Sequence, residues 1–242
     1  MIQWNKYFDR IFCVTYINNG RYKKLCKELD RVCILKSGIF EFMYNCEFRY
    51  KDQMYDAIYA PHVHPKYMVP CTIQHLKIWN IMRELGYERI LILEDDVAFL
   101  KDLNEIERGL ETADYKDITL FHYLWLKENI YYSTACYSIN QWGAEVLIDN
   151  FNKNENFTVC DQLLFGKEYI EVTHVQNNIE FDDLVLKAYH KVKNYNTGKY
   201  ELNTSDVIIA SQHCKTMRIS KDVNIDNEKE DKYNFWMEFN KD

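Results

Sequence analysis

Ile90-Leu91-Ile92-Leu93 runs without a break into Glu94-Asp95-Asp96, and the chain then turns apolar again through Val97-Ala98-Phe99-Leu100. A short branched apolar run of this kind reads as a strand buried on both faces, inside a parallel sheet. A buried carboxylate is costly unless it is paired or metal-bound. Both statements hold together only if the acids emerge where the strand leaves the sheet. In open α/β sheets that carboxyl edge is where ligands bind.

The flanking pattern supports such a sheet. IFCVTYI (11–17) is β-branched and aromatic and reads as a buried strand, followed by a turn and a helix with Tyr22, Leu25 and Leu29 at helical spacing. VCIL (32–35) reads as the next strand, which makes the start of the chain β-α-β. Residues 37–70 are aromatic and irregular and predict loops with short elements. TIQHLKIWNIMREL (72–85) predicts a helix, with Ile78, Ile81, Met82 and Leu85 on one face and Gly86 as its C-terminal cap. Asp102 and Glu105 have the spacing of a capping box at the start of another helix. DITLFHYLWL (117–126) and YYSTACYSI (131–139) predict strands, and 140–151 predicts a helix. Alternating strands and helices imply an α/β layer architecture. The chain of 242 residues fits one domain, with 190–242 open as a C-terminal accessory segment.

On an extended backbone Glu94 and Asp96 point the same way and Asp95 points oppositely. Two such carboxylates form a hard-oxygen site suited to Mg²⁺ or Mn²⁺, whose remaining positions take water and phosphate oxygens. A nucleotide diphosphate is the natural companion, because the metal neutralises charge growing on a departing phosphate. The competing reading is an acidic loop held by lysines or helix N-termini. Asp161, in VCDQLLF, is the best further carboxylate: either a helix N-cap or a general base that removes a hydroxyl proton. Arg21, Lys23 and Lys24, just after the first strand, offer positive charge to a phosphate or a solvated helix face. His75 sits one turn into its helix, where a packing role is the default. His62, His64, His174 and His213 are further potential ligands, and Glu180-Phe181-Asp182-Asp183 reads as an exposed helix start.

Composition narrows the partners. A formal net charge of −7 weighs against nucleic acid, which demands a basic surface. The eight cysteines form no C-x-x-C pair, and several lie in apolar runs, so they read as reduced core residues of a cytosolic protein. MIQWNKYFDR lacks signal-peptide anatomy, and no apolar stretch approaches a membrane span of roughly 18 residues. The expectation is a cytoplasmic protein, with peripheral association at the inner face of a membrane left open.

Four stretches in order, FCVTYINNGRYKKL, CTIQHLKIWNIMRELGYERILILEDDVAFL, STACYSINQWGAEVLI and VCDQLLF followed by EVTHVQNNI, resemble glycosyltransferase family 25, the lipooligosaccharide-biosynthesis type. The LEDDV core and its distance from Cys71 and His75 are the specific part. The resemblance implies a GT-A-type fold: a Rossmann-like mixed, mostly parallel sheet flanked by helices. It further implies a nucleotide-sugar donor bound through Mn²⁺ or Mg²⁺ at a D-x-D-like motif, and a glycan or glycolipid acceptor. In that scheme Asp96 ligates the metal directly. Glu94 contacts the ribose, or the metal through water, while Asp95, Arg21 and His75 line the donor side. Asp161 deprotonates the acceptor hydroxyl for one in-line, inverting displacement. A hexose from a UDP-sugar is the leading expectation. A nucleotidyltransferase and a catalytically inactive glycan-binding domain are the alternatives, and oligomeric state stays open.

Overall fold

The computed structural model describes residues 1–15, 21–34, 39–44, 49–50, 53–54, 65–95, 97–99, 101–121, 124–126, 129–131, 134–153, 160–165, 194–205 and 210–212. In chain order the strands are β1 (Arg10–Thr15), β2 (Phe40–Tyr44), β3 (Arg49–Tyr50), β4 (Gln53–Met54), β5 (Arg89–Glu94), β6 (Val97–Phe99), β7 (Ile118–Leu120), β8 (Leu124–Leu126), β9 (Asn129–Tyr131), β10 (Cys136–Asn140), β11 (Asn194–Asn196), β12 (Glu201–Thr204) and β13 (Ala210–Gln212). The helices are α1 (Arg21–Arg31), α2 (Pro65–Leu85), α3 (Leu103–Thr112), α4 (Gln141–Lys153) and α5 (Cys160–Phe165).

Among the described residues seven strands form the main sheet, in the order β11-β12-β7-β10-β5-β1-β2. The pairings β1–β2, β1–β5 and β12–β7 are parallel, whereas β10 is antiparallel to both its neighbours and β11 is antiparallel to β12. Hence β2, β1, β5, β7 and β12 run one way and β10 and β11 the other: a mixed, mostly parallel sheet with helices on both faces, as the alternation in the sequence implies. The strand predicted at 90–93 is central, but it is parallel only to β1. On its other side the chain returns as β10, antiparallel.

Period-two alternation explains why these strands are apolar throughout. Phe12, Val14, Ile90 and Ile92 pack in one layer with Ile73, Trp79 and Met82 of α2 and Ala144, Leu147 and Ile148 of α4. Ile11, Cys13, Leu91 and Leu93 pack in the opposite layer with Leu25 and Leu29 of α1 and Ile106 and Leu110 of α3. Full burial of each such side chain stabilises by about 1.5–3 kcal/mol, so the alternation fixes the register of β1 and β5.

Two helix ends show how local sequence sets element boundaries. Gly86 adopts φ +70° and Tyr87 N–H donates to Met82 C=O at 3.1 Å, the Schellman closure of α2. The same closure ends α1, and over residues 32–34 it corrects the expectation of a strand at 32–35, whose last residue lies outside the described residues. Cys33 N–H donates to Asp30 C=O at 3.0 Å and Ile34 N–H to Leu29 C=O at 2.9 Å, with Cys33 at φ 62°. Val32 and Ile34 are apolar because the cap tucks them against Leu29 in the core, not because they form a strand. The next strand of the sheet is β2, in a stretch whose sequence reads as irregular. α3 begins as expected, with Asp102 Oδ1 accepting from Glu105 N–H at 2.9 Å. At α4, Asn140 Oδ1 accepts from Gly143 N–H at 2.8 Å. A Cβ on Gly143 would stand 3.1 Å from the Asp117 carbonyl, so this helix start leaves little room for a side chain there. The segment from 190 onward contributes β11 and β12 to the main sheet, and Tyr200 Oη donates to the Leu164 carbonyl at the end of α5 at 2.6 Å.

Candidate active site at the carboxyl end of the central strand

β5 delivers its first two acids to opposite sides of the sheet. Glu94 follows Ile90 and Ile92 onto the face covered by α2, where its Oε1 accepts a hydrogen bond from Thr134 Oγ1 at 2.5 Å and lies 3.7 Å from His75 Nε2. Glu94 N–H donates to the Ala135 carbonyl at 2.8 Å, extending the β5–β10 ladder past the last strand residue. Asp95 turns the other way, and its Oδ2 accepts from Thr15 Oγ1 at the end of β1 at 3.0 Å. Both acids are buried. Asp96, the expected direct metal ligand, lies outside the described residues.

α2 supplies the wall on the Glu94 side. Cys71, His75 and Trp79 recur at i, i+4 and i+8 and so share one face of the helix. His75 is fully buried; its Nδ1 lies 2.8 Å from Tyr137 Oη, which also accepts from Trp79 Nε1–H at 3.1 Å. Tyr137 comes from β10, so one phenol oxygen ties the central sheet to two residues of the covering helix. The direction of its hydroxyl proton sets the imidazole tautomer. With the phenol proton aimed at Nδ1, Nε2 carries the ring hydrogen toward Glu94; with Nδ1–H donated to the phenol oxygen, Nε2 presents a lone pair.

α5 completes the cluster. Cys160 N–H donates to Thr72 Oγ1 of α2 at 2.9 Å, and Cys160 Sγ lies 3.6 Å from Thr134 Oγ1. The same Thr134 hydroxyl lies 3.2 Å from Asp161 Oδ1. Asp161 is buried in the first turn of α5, inside the helix rather than at its cap. Glu94 and Asp161, far apart in sequence, therefore meet on one hydroxyl that has a single proton to give.

Electrostatics follow from this crowding. A hydrogen bond from Cys71 holds the Cys160 thiol below its usual range against the opposing effect of burial, and the neighbouring His75 adds to the drop. Burial pushes the His75 imidazole down, but the Cys160 charge and the Glu94 carboxylate 3.7 Å from Nε2 outweigh it and raise the net value. Burial pushes the Tyr137 phenol well above its usual range, so it stays neutral.

Of the residues expected from sequence, Glu94, His75 and Asp161 come together around Thr134, and Asp95 is anchored to Thr15 on the other face. Arg21 opens α1, and its side chain, like those of Lys23 and Lys24, lies outside the described residues. So do His62, His64, His174, His213 and the acidic stretch 180–183. Sequence reasoning missed Thr134, Tyr137, Thr72 and Cys160. Only the i, i+4 pairing of Cys71 with His75 offered a signal, since the others are brought in by long-range sheet and helix packing.

Residues 66–133 match the model of Glycosyltransferase family 25 (LPS biosynthesis protein). No curated protein matches the chain. Among solved structures the chain is similar to a glycosyltransferase involved in the glycosylation of the major capsid of PBCV-1, at 13% identity over 86% of this chain and 96% of that one, with a TM-score of 0.40. It is also similar to the galactosyltransferase LgtC in complex with donor and acceptor sugar analogs, at 10% identity over 96% and 95% of the two chains, with a TM-score of 0.37. A third similarity is to A197 from STIV, at 12% identity over 56% and 67%, with a TM-score of 0.30. These likenesses are too loose to carry a residue or a substrate from one chain to another. The family match covers nearly all of α2, β5 and the acidic motif together, so the similarity to glycosyltransferase family 25 falls on the segment that carries Cys71, His75, Glu94 and Asp95.

Proposed function

We propose that the chain is a divalent-metal-dependent, inverting hexosyltransferase of GT-A type that takes its sugar from a UDP-linked donor and places it on a cell-surface glycan such as lipooligosaccharide. The observation that carries the reading is the convergence of Glu94 and Asp161 on Thr134 at the carboxyl end of the central strand, inside and beside the family 25 segment. That edge of an α/β sheet is where ligands sit.

The donor chemistry fits a hard cation. Glu94 is a carboxylate at the strand end with one oxygen oriented by the Thr134 hydroxyl, as supporting partners orient metal ligands, and Asp95, held by Thr15 on the other face, would contact the donor. Asp96, next in the chain, would be the direct ligand of Mn²⁺ or Mg²⁺, and Glu94 would contact the ribose, or the ion through water. When bound, the ion would offset charge on the leaving diphosphate. Asp161 would take the proton of the acceptor hydroxyl as that oxygen attacks the anomeric carbon. Arg21 would face the donor phosphates, and His75 would lie on the donor side beside Glu94. Among the described residues no helix is long and apolar enough to cross a membrane. The proposed location is the cytoplasm, at the inner face of the membrane where a glycolipid acceptor is presented.

A panel of nucleotide sugars tests this reading, with UDP or GDP release followed in Mn²⁺ and in chelator. Metal-dependent release from one UDP-hexose, stimulated by a glycan acceptor, supports it. Pyrophosphate release from a sugar phosphate and a nucleoside triphosphate would instead identify nucleotidyl transfer, and metal-independent glycan binding without turnover would identify a binding domain.

A further inference from the structure

We infer that Cys71, His75 and Cys160 form a Zn²⁺ site, different in chemistry from the acidic motif and directly beside it. One donor atom from each of the three lies within 4.8 Å of the other two. Two thiolates and an imidazole around tetrahedral zinc, at bond lengths of about 2.3 and 2.0 Å, stand about 3.5–3.8 Å apart. The cluster thus needs to contract by about 1.3 Å at most to close on an ion of that size.

The three donors are held on a rigid frame. Cys71 and His75 lie one turn apart on α2, and Cys160 at the start of α5 is fixed to the same helix by its N–H bond to Thr72 Oγ1. His75 Nδ1 is engaged by Tyr137, which leaves Nε2, fully buried and without a hydrogen-bond partner, as the available ligand atom. A metal-bound histidine characteristically uses its other ring nitrogen in this way. Glu94 Oε1, 3.7 Å from Nε2, and Thr134 Oγ1, 3.6 Å from Cys160 Sγ, are oxygens beside the cluster.

Donor softness separates the two metals. Thiolate and imidazole select zinc, whereas carboxylates at the strand end suit Mn²⁺ or Mg²⁺. Zinc here would cross-link α2 to α5 directly behind Glu94, and would neutralise thiolate charge inside the fold. The ion would position Glu94 and Asp161 rather than take part in sugar transfer.

The test uses the full-length, untagged chain purified in reductant without chelator. Elemental analysis should find about one zinc per chain, kept through dialysis against excess Mn²⁺. Replacement by Co²⁺ should give a thiolate charge-transfer band, cut to about half by Cys71→Ser and by Cys160→Ser, and a tetrahedral visible spectrum. His75→Gln should weaken Co²⁺ binding at least tenfold. If the variants fail to fold by circular dichroism, alkylation of the wild-type chain decides. Zinc should protect Cys71 and Cys160 and leave the rate at the exposed part of Cys26 unchanged. Zinc-free protein that takes up no zinc overturns the inference. So does a Cys71–Cys160 disulfide in protein freshly prepared in air, or a Co²⁺ spectrum untouched by both serine substitutions.

Discussion

Thr134 donates its hydroxyl to the Glu94 carboxylate across 2.5 Å of buried space. Asp161 Oδ1 stands 3.2 Å from the same oxygen, so one proton serves two acids at the heart of the site.

Replacing this residue with its hydroxyl-free isostere, Thr134→Val, should destabilise the fold by about 1–3 kcal/mol, the usual cost of stranding a buried acceptor. Thr134→Ser should recover most of the loss. Urea unfolding of the three proteins checks this. A valine variant as stable as the parent would mean the acids do not depend on that hydroxyl.

Tyr137→Phe removes the oxygen shared by His75 Nδ1 and Trp79 Nε1 in a fully buried setting. With two ring nitrogens stranded at about 1–3 kcal/mol each, a total loss of roughly 2–6 kcal/mol is expected. Thermal and urea unfolding read it out, and a loss under about 1 kcal/mol would show that water replaces the phenol.

Cys33 holds φ 62° at the end of α1, where a Cβ is disfavoured. Cys33→Gly should stabilise the protein by about 0.5–1 kcal/mol, the left-handed strain relieved less the extra entropy of glycine in the unfolded chain. An unchanged or lower urea midpoint contradicts the cap as described.

Asp161→Asn tests the proposed base. It keeps the volume and a polar group beside Thr134 but cannot accept a proton, so kcat should fall by about 10²–10⁴ with KM little changed. Steady-state kinetics on the donor identified by the nucleotide-sugar panel provide the check. Equal kcat in the variant would assign the proton transfer to another group.

What could be read from the sequence was what local chemistry decides. α2 with Gly86 behind it, β5 with its acids and α3 with Asp102 all carry their signal within one turn or one strand. The stretch at 32–35 misled because a Schellman cap and a buried strand use the same apolar letters, and only the left-handed Cys33 tells them apart. β2 and the antiparallel β10 beside β5 are matters of long-range pairing, which no local window contains. The site divides in the same way. Glu94 stands out as an acid after an apolar run, and His75 lies at a fixed distance before it. Thr134 and Cys160 are ordinary residues until β10 and α5 are packed against α2.

The most direct test of the account measures UDP release from the preferred UDP-hexose, with and without Mn²⁺, for the parent chain and for Asp96→Ala. The parent should turn over only with the metal. The variant, folded by circular dichroism, should lose at least about 10³-fold in rate, in line with the several kcal/mol that a Lewis-acidic ion contributes to charge stabilisation. Parent-like, metal-dependent turnover by Asp96→Ala would contradict the assignment of the acidic motif as the metal site.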